Sequence, residues 1–148
     1  MYFIGIIVFL VFLVLINVLN STVMALVDLP SLIVILALSI PTLMASGLLP
    51  DFFKGFKLMG QKVNYYSKLD LERILEANNL AVKLFLLSGS IGMILGFVGV
   101  LRNLTNPSLL GPNFAVAMLT LLYSLIFISL ILPIKSRVKT IIKTMEME

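Results

Sequence analysis

Four stretches of this chain run for 18 to 20 residues without a single charge: Tyr2–Leu19, Ser31–Leu49, Leu84–Leu101 and Asn113–Leu132. At ~1.5 Å of rise per residue, each matches a ~30 Å hydrocarbon core to within about a turn. Helices of this kind have no polar face to offer water. In lipid they are favoured, because every backbone group is bonded within the segment. The runs predict an all-α, polytopic membrane protein with four transmembrane helices. Composition agrees: 60% of residues are hydrophobic and 12% charged, against about 45–50% and about 25% in soluble domains.

The first run has a rival reading as a cleaved signal peptide. It lacks a basic leader, is long for that role and is followed by no clear small-x-small site, so a membrane helix is the better reading. Asn20–Ser31 then breaks the pattern, with Asp28 its only charge and Pro30 suited to a first helical turn. Pro41 is expected to kink the second span and Pro50 to stop it. Residues 51–83 form the one long polar segment, in which Phe52, Phe53 and Phe56 beside Lys54 and Lys57 resemble an interfacial anchor. Ser67, with Asp70 three positions on, is a helix-start signal, and that helix is expected to continue into the third span. Arg102–Pro112 reads as a turn. Pro133 marks the end of the fourth span or a bend. In the tail, 134–148, Ile134, Val138, Ile141, Ile142 and Met145 make an amphipathic pattern, either a continuation of the fourth helix or a helix lying on the membrane. Residues 1–148 form one domain.

Ten of the eleven Lys and Arg residues fall in 51–83 and the tail, and only Arg102 lies in the opposite set of loops. The positive-inside rule therefore predicts a cytoplasmic 51–83 segment, a cytoplasmic tail and both termini inside.

The third run carries Gly89, Gly92, Gly96 and Gly99 at i, i+3, i+7 and i+10, one stripe along a helix. In water each costs about 1 kcal/mol relative to Ala. In lipid such a stripe lets another backbone approach. The fourth run has Asn113, Ala117, Thr120 and Ser124 on one stripe. One reading packs the glycines on a helix of the same chain, with the hydroxyls bonded to carbonyls of their own helix. The other makes the two stripes the walls of a shared interface or pore.

Several chemistries are absent. Without Cys or His there is no thiol, imidazole base or usual zinc site, and no metal or other cofactor is expected. No nucleophile–base pair is visible, so the chain is not expected to be an enzyme. Its +4 charge is too scattered for nucleic-acid binding. No Asp, Glu, Lys or Arg lies deep in a run, although such residues mark ion pathways. A proton path would need its carboxylate from a partner. The same lack argues against a four-span multidrug exporter, which relies on an intramembrane glutamate.

"VDLPSLIVILALSIPTLMASGLLPDFFKGFKL" and "GSIGMILGFVGVLRNLTNPSLLGPNFAVAMLTLLYSLIFISLILPIK" resemble the MotA branch of the MotA/TolQ/ExbB proton-channel family. The features that carry the resemblance are D-x-P-S-L where the second span starts, G-x-x-G-x-x-x-G in the third, N-P-S-x-L-G-P before the fourth, and L-L-Y and L-P-I within and after it. The resemblance covers most of residues 20–139. It implies a subunit of an ion-driven motor in the bacterial plasma membrane. Five copies would surround a pair of MotB-, ExbD- or TolR-like single-span partners, whose aspartate carries the ion. It also implies a pore lined by the third and fourth helices. The candidates are Ser90, Met93, Phe97, Ala117, Thr120, Leu121 and Ser124, with Gly89, Gly92, Gly96 and Gly99 for packing and Pro133 as a structural bend. Three departures stand out. The cytoplasmic segment is short for a flagellar rotor contact. Met93 and Leu121 replace the family's two pore threonines, and Leu86 replaces a proline before the third span. Loss of the threonines favours an alternative, a non-conducting oligomeric scaffold.

Overall fold

The computed structural model describes residues 2–19, 28–60, 66–102, 104 and 107–147. The break over Asn20–Val27, Lys62, and Asn103, Thr105 and Asn106 of the expected turn lie outside the described residues. The described residues form five helices in the order α1 (Tyr2–Leu19), α2 (Leu29–Ala45), α3 (Leu49–Leu58), α4 (Lys68–Arg102) and α5 (Pro107–Met145).

Two of these, α4 and α5, are long and apolar enough to cross a membrane, and the count becomes three if the bent pair α2–α3 is one span. The apolar stretch of α1, Tyr2–Ile16, is shorter. The expected four spans are thus shown as two or three. The second run is where expectation and structure part. It begins earlier, at Leu29, because the Asp28 carboxylate accepts the Ser31 N–H at 3.0 Å and Pro30 occupies the first turn. It ends at Ala45, before Leu49. Gly47 takes φ 71° there, a left-handed conformation that suits Gly and closes the helix. The chain then turns by 105° into α3.

The expected turn Arg102–Pro112 is also shorter. Pro107 opens α5, and Pro112 sits inside the helix, as does Pro133. A Pro at the first helical position needs no N–H partner and has its φ preset, so α5 starts six residues ahead of the expected span. It then runs through Pro133 to Met145, which makes the tail a continuation of the fourth helix. Ile134 and Val138 are buried there with Leu58 and Met59 next to α3's end and Leu71 and Ile74 of α4.

That cluster joins the two basic segments at one end of the molecule. Tyr2 packs on it as well, and its hydroxyl donates to the Leu130 carbonyl at 2.9 Å. The start of α1 therefore lies at the same end. At the base of α4, Ser67 Oγ accepts the Asp70 N–H at 3.2 Å while Asp70 accepts the Ser67 N–H at 3.2 Å. This is the reciprocal cap expected from "SKLD".

Candidate functional site

The α4–α5 pair forms the centre of the bundle, and the glycines explain how closely the two helices approach. A methyl group at Gly89 would collide with the Ser124 side chain, at Gly92 with Thr120 Cγ2, and at Gly96 with Ala117 Cβ. The order is antiparallel: rising along α4, the partners fall along α5. Gly99 differs, since a Cβ there would meet nothing within 4 Å among the described residues. Gly89, Gly92 and Gly96 are thus where α4 and α5 approach most closely, and Gly99 is not.

Covering one side of this pair is α2, which buries Ser31, Ile35, Ser39 and Leu43 at four-residue spacing. Thr120 Oγ1 lies 2.9 Å from Ser31 Oγ and 3.0 Å from the Val116 carbonyl, and Ser31 Oγ lies 3.3 Å from that same carbonyl. One assignment uses each hydrogen once: Thr120 donates to Ser31, and Ser31 donates to Val116. One helical level away, the Ser39 and Ser88 hydroxyls are 2.9 Å apart, and Ser124 donates to Leu121 at 2.8 Å. At the start of α2, the Asp28 N–H donates to the Tyr123 hydroxyl at 2.8 Å. The result is a seam of hydroxyls inside the protomer, each satisfied by a neighbour or by its own helix.

This arrangement divides the seven candidate pore residues. Ala117, Thr120 and Ser124 are 0%, 3% and 0% exposed. Within the protomer they face the glycines of α4, which leave them no clearance, and Thr120 also meets Ser31 of α2. Ser90, Met93, Phe97 and Leu121 are partly exposed. At ~100° per residue, Ser90, Met93 and Phe97 take the flank of α4 turned from Ser88, and Leu121 the flank of α5 turned from Val116 and Tyr123. Both flanks lie opposite α2. Phe97 meets Phe114 edge-on across them, with centroids 5.4 Å apart. Exposed Leu86, Phe114 and Leu125 extend this bare, apolar side. The one hydroxyl among the four candidates, on Ser90, donates to the Leu86 carbonyl at 2.8 Å.

Sequence reasoning assigned the second span no packing stripe and so missed Ser31 and Ser39. Their spacing with Ile35 and Leu43 was the available signal. It also missed Asp51. This carboxylate, buried in the first turn of α3, lies 2.7 Å from Lys54 Nζ and 2.9 Å from the Arg73 guanidinium. The hydrogen bond from Lys54, joined by that from Arg73, holds its carboxyl below the usual range against the opposing push of burial. Of the expected aromatic anchor, Phe52 is turned into the core, Phe56 is partly buried against it, and Phe53 remains exposed.

Comparison with known proteins gives one partial similarity. Over 57 residues the chain is 42% identical to Motility protein A of Aquifex aeolicus (strain VF5), a match that spans 38% of this chain and 22% of that protein. No family model matches, and no solved structure does. The similarity points to a MotA-like relationship over that stretch.

Proposed function

We propose that this chain is the ring-forming, pore-lining subunit of a small ion-driven membrane motor, driven in the first instance by protons. In this reading both termini are cytoplasmic, α1 and α2 are the first two of four spans, α3 opens the cytoplasmic segment, and the membrane is the bacterial inner membrane. Five copies surround a dimer of MotB-, ExbD- or TolR-like single-span partners. The partner supplies the aspartate, since the described membrane helices α4 and α5 hold no carboxylate between Lys83 and Lys135. The subunit itself is not an enzyme.

The observation that carries the reading is the 42% identity with a motility protein. The bare side of α4–α5 supports it. An apolar surface from Leu86 to Phe97 and Phe114 to Leu125 is suited to another helix, and Ser90, Met93, Phe97 and Leu121 all lie on it. Co-expression with a single-span membrane protein bearing a carboxylate in its span is expected to yield a stable complex. Proteoliposomes of that complex are expected to leak ions. A chain that purifies alone and gives no flux would overturn the proposal.

A second reading, a non-conducting oligomeric scaffold, is favoured by Met93 and Leu121, which put a thioether and an isobutyl group where the resembled family has hydroxyls. Met93→Thr with Leu121→Thr separates the two. Flux appearing only in the double variant supports the scaffold, and flux already present in the parent excludes it.

A further inference from the structure

The 105° turn between α2 and α3 leaves a crevice in its concave angle, roofed by α3 and floored by α4 and α5. Its volume is about 280 Å³, and its lining includes Leu43, Phe52, Ala81, Phe85 and Ile131. That is about twice the ~150 Å³ apolar cavity that stays dry and takes up a benzene ring. Ser39 is the one hydroxyl in the lining, and it is engaged by Ser88. Nothing in the lining asks for a polar ligand, so the chemistry selects hydrocarbon.

The rim says which hydrocarbon. Ile40 and Phe53 are exposed at the crevice edge, on the apolar side of the turn. Lys57 lies one turn beyond Phe53 on the same face of α3, and Lys54 lies beside it. Asp51 is shared between Lys54 and Arg73, so this corner carries more positive than negative charge, and Lys57 makes no ion pair among the described residues. An amphipathic helix with rings toward the bilayer and ammoniums on its outer edge sits at headgroup level.

We propose that this crevice binds one anionic phospholipid, an acyl chain entering past Ile40 and Phe53 and the phosphate resting against Lys57. Such a lipid would brace the turn between α2 and α3. The proposal needs only a membrane-embedded chain and is independent of the motor reading.

The test uses the full-length protein in detergent, offered phosphatidylglycerol or phosphatidylcholine, with retained lipid counted by native mass spectrometry. The parent is expected to retain phosphatidylglycerol in preference. Lys57→Gln should lower that retention about fivefold, the ratio that ~1 kcal/mol per basic residue near an anionic surface gives, and leave phosphatidylcholine unchanged. Ile40→Trp, which blocks the mouth, should lower both by tenfold or more. Leu36→Phe narrows the crevice from within and serves if the tryptophan variant does not accumulate. Equal retention of the two lipids, unmoved by any substitution, would overturn the proposal. So would competition by glycerol phosphate alone. A change in oligomer size with Ile40→Trp but no change in lipid would assign the crevice to a second copy instead.

Discussion

The two sides of the α4–α5 pair are built on opposite rules. Toward α2 and in the joint between the two helices the residues are small or hydroxylated: Ser88, Gly89 and Gly92 on α4, and Thr120 and Ser124 on α5, all buried. Away from α2 they are large and partly or mostly uncovered: Leu86, Met93, Phe97, Phe114 and Leu125. In lipid, apolar bulk gains nothing by hiding from the acyl chains, so helices associate where close packing and hydrogen bonds are possible. The covered side shows both. The bare side is met by no helix on the far side from α2 among the described residues.

Adding volume to each side tests this division most severely. Gly96→Val drives a side chain into Ala117 Cβ, and Ala117 Cα lies 2.9 Å from where the new Cβ would be. Neither atom can rotate away, so the helices must separate. The expected loss is about 1–3 kcal/mol, the range for overpacking a filled core. Ser90→Val adds similar bulk on the bare side and is expected to stay within about 0.5 kcal/mol. Thermal unfolding of both variants in the same detergent compares them directly. Equal losses would mean that the bare side is as closely packed as the covered one.

The covered side continues past the end of α2 as α3, where charge replaces hydroxyls. Asp51→Asn should loosen α3 from α4 and cost about 1–2 kcal/mol. That lies between the small value of exposed pairs and the larger one for breaking a buried pair, because Lys54 and Arg73 are half exposed while Asp51 is covered. The sign with pH follows from the lowered carboxyl pKa. The stabilisation is fully present above the ordinary carboxylate value and is lost as pH falls through the depressed one. Melting temperatures of parent and variant should therefore differ at neutral pH, and the gap should begin to narrow only as pH falls below the ordinary carboxylate value. A gap unchanged by pH down to the point of acid unfolding would mean that shape, rather than charge, holds α3.

What could be read from the chain follows the range of the forces involved. Local signals survived. The Ser67–Asp70 cap starts α4 where expected, and the helix runs unbroken into the apolar run above it. The glycine stripe also announced a close approach. What a one-dimensional pattern does not encode is which helix fills the stripe. Ala117, Thr120 and Ser124 have the spacing of a pore wall and equally that of a lid over three glycines; only the antiparallel register of α4 and α5 sets them against Gly96, Gly92 and Gly89. The α2 stripe was overlooked because two serines among aliphatic residues barely alter the mean polarity of a span. The turn at Gly47 was missed for a related reason: apolar residues continue on both sides of it, so hydropathy shows no boundary.

The smallest effect probes the seam itself. Ser39 and Ser88 are both buried and 2.9 Å apart, which invites the view that this bond locks α2 onto α4. The neighbouring hydroxyls argue for a modest value. Ser90 donates to Leu86 and Thr42 to Leu38, each four residues back in its own helix. When Ser39→Ala removes one partner, the Ser88 hydroxyl has the same retreat available, toward the carbonyl of Leu84. The lost bond is then exchanged for another, not left unmade. A double-mutant cycle with Ser39→Ala and Ser88→Ala should give a coupling of about 0.6 kcal/mol, the average for such pairs between membrane helices. A coupling above about 2 kcal/mol would mean that the retreat is closed. The covered side would then owe its cohesion to hydroxyl pairing as much as to the closeness of glycine contacts.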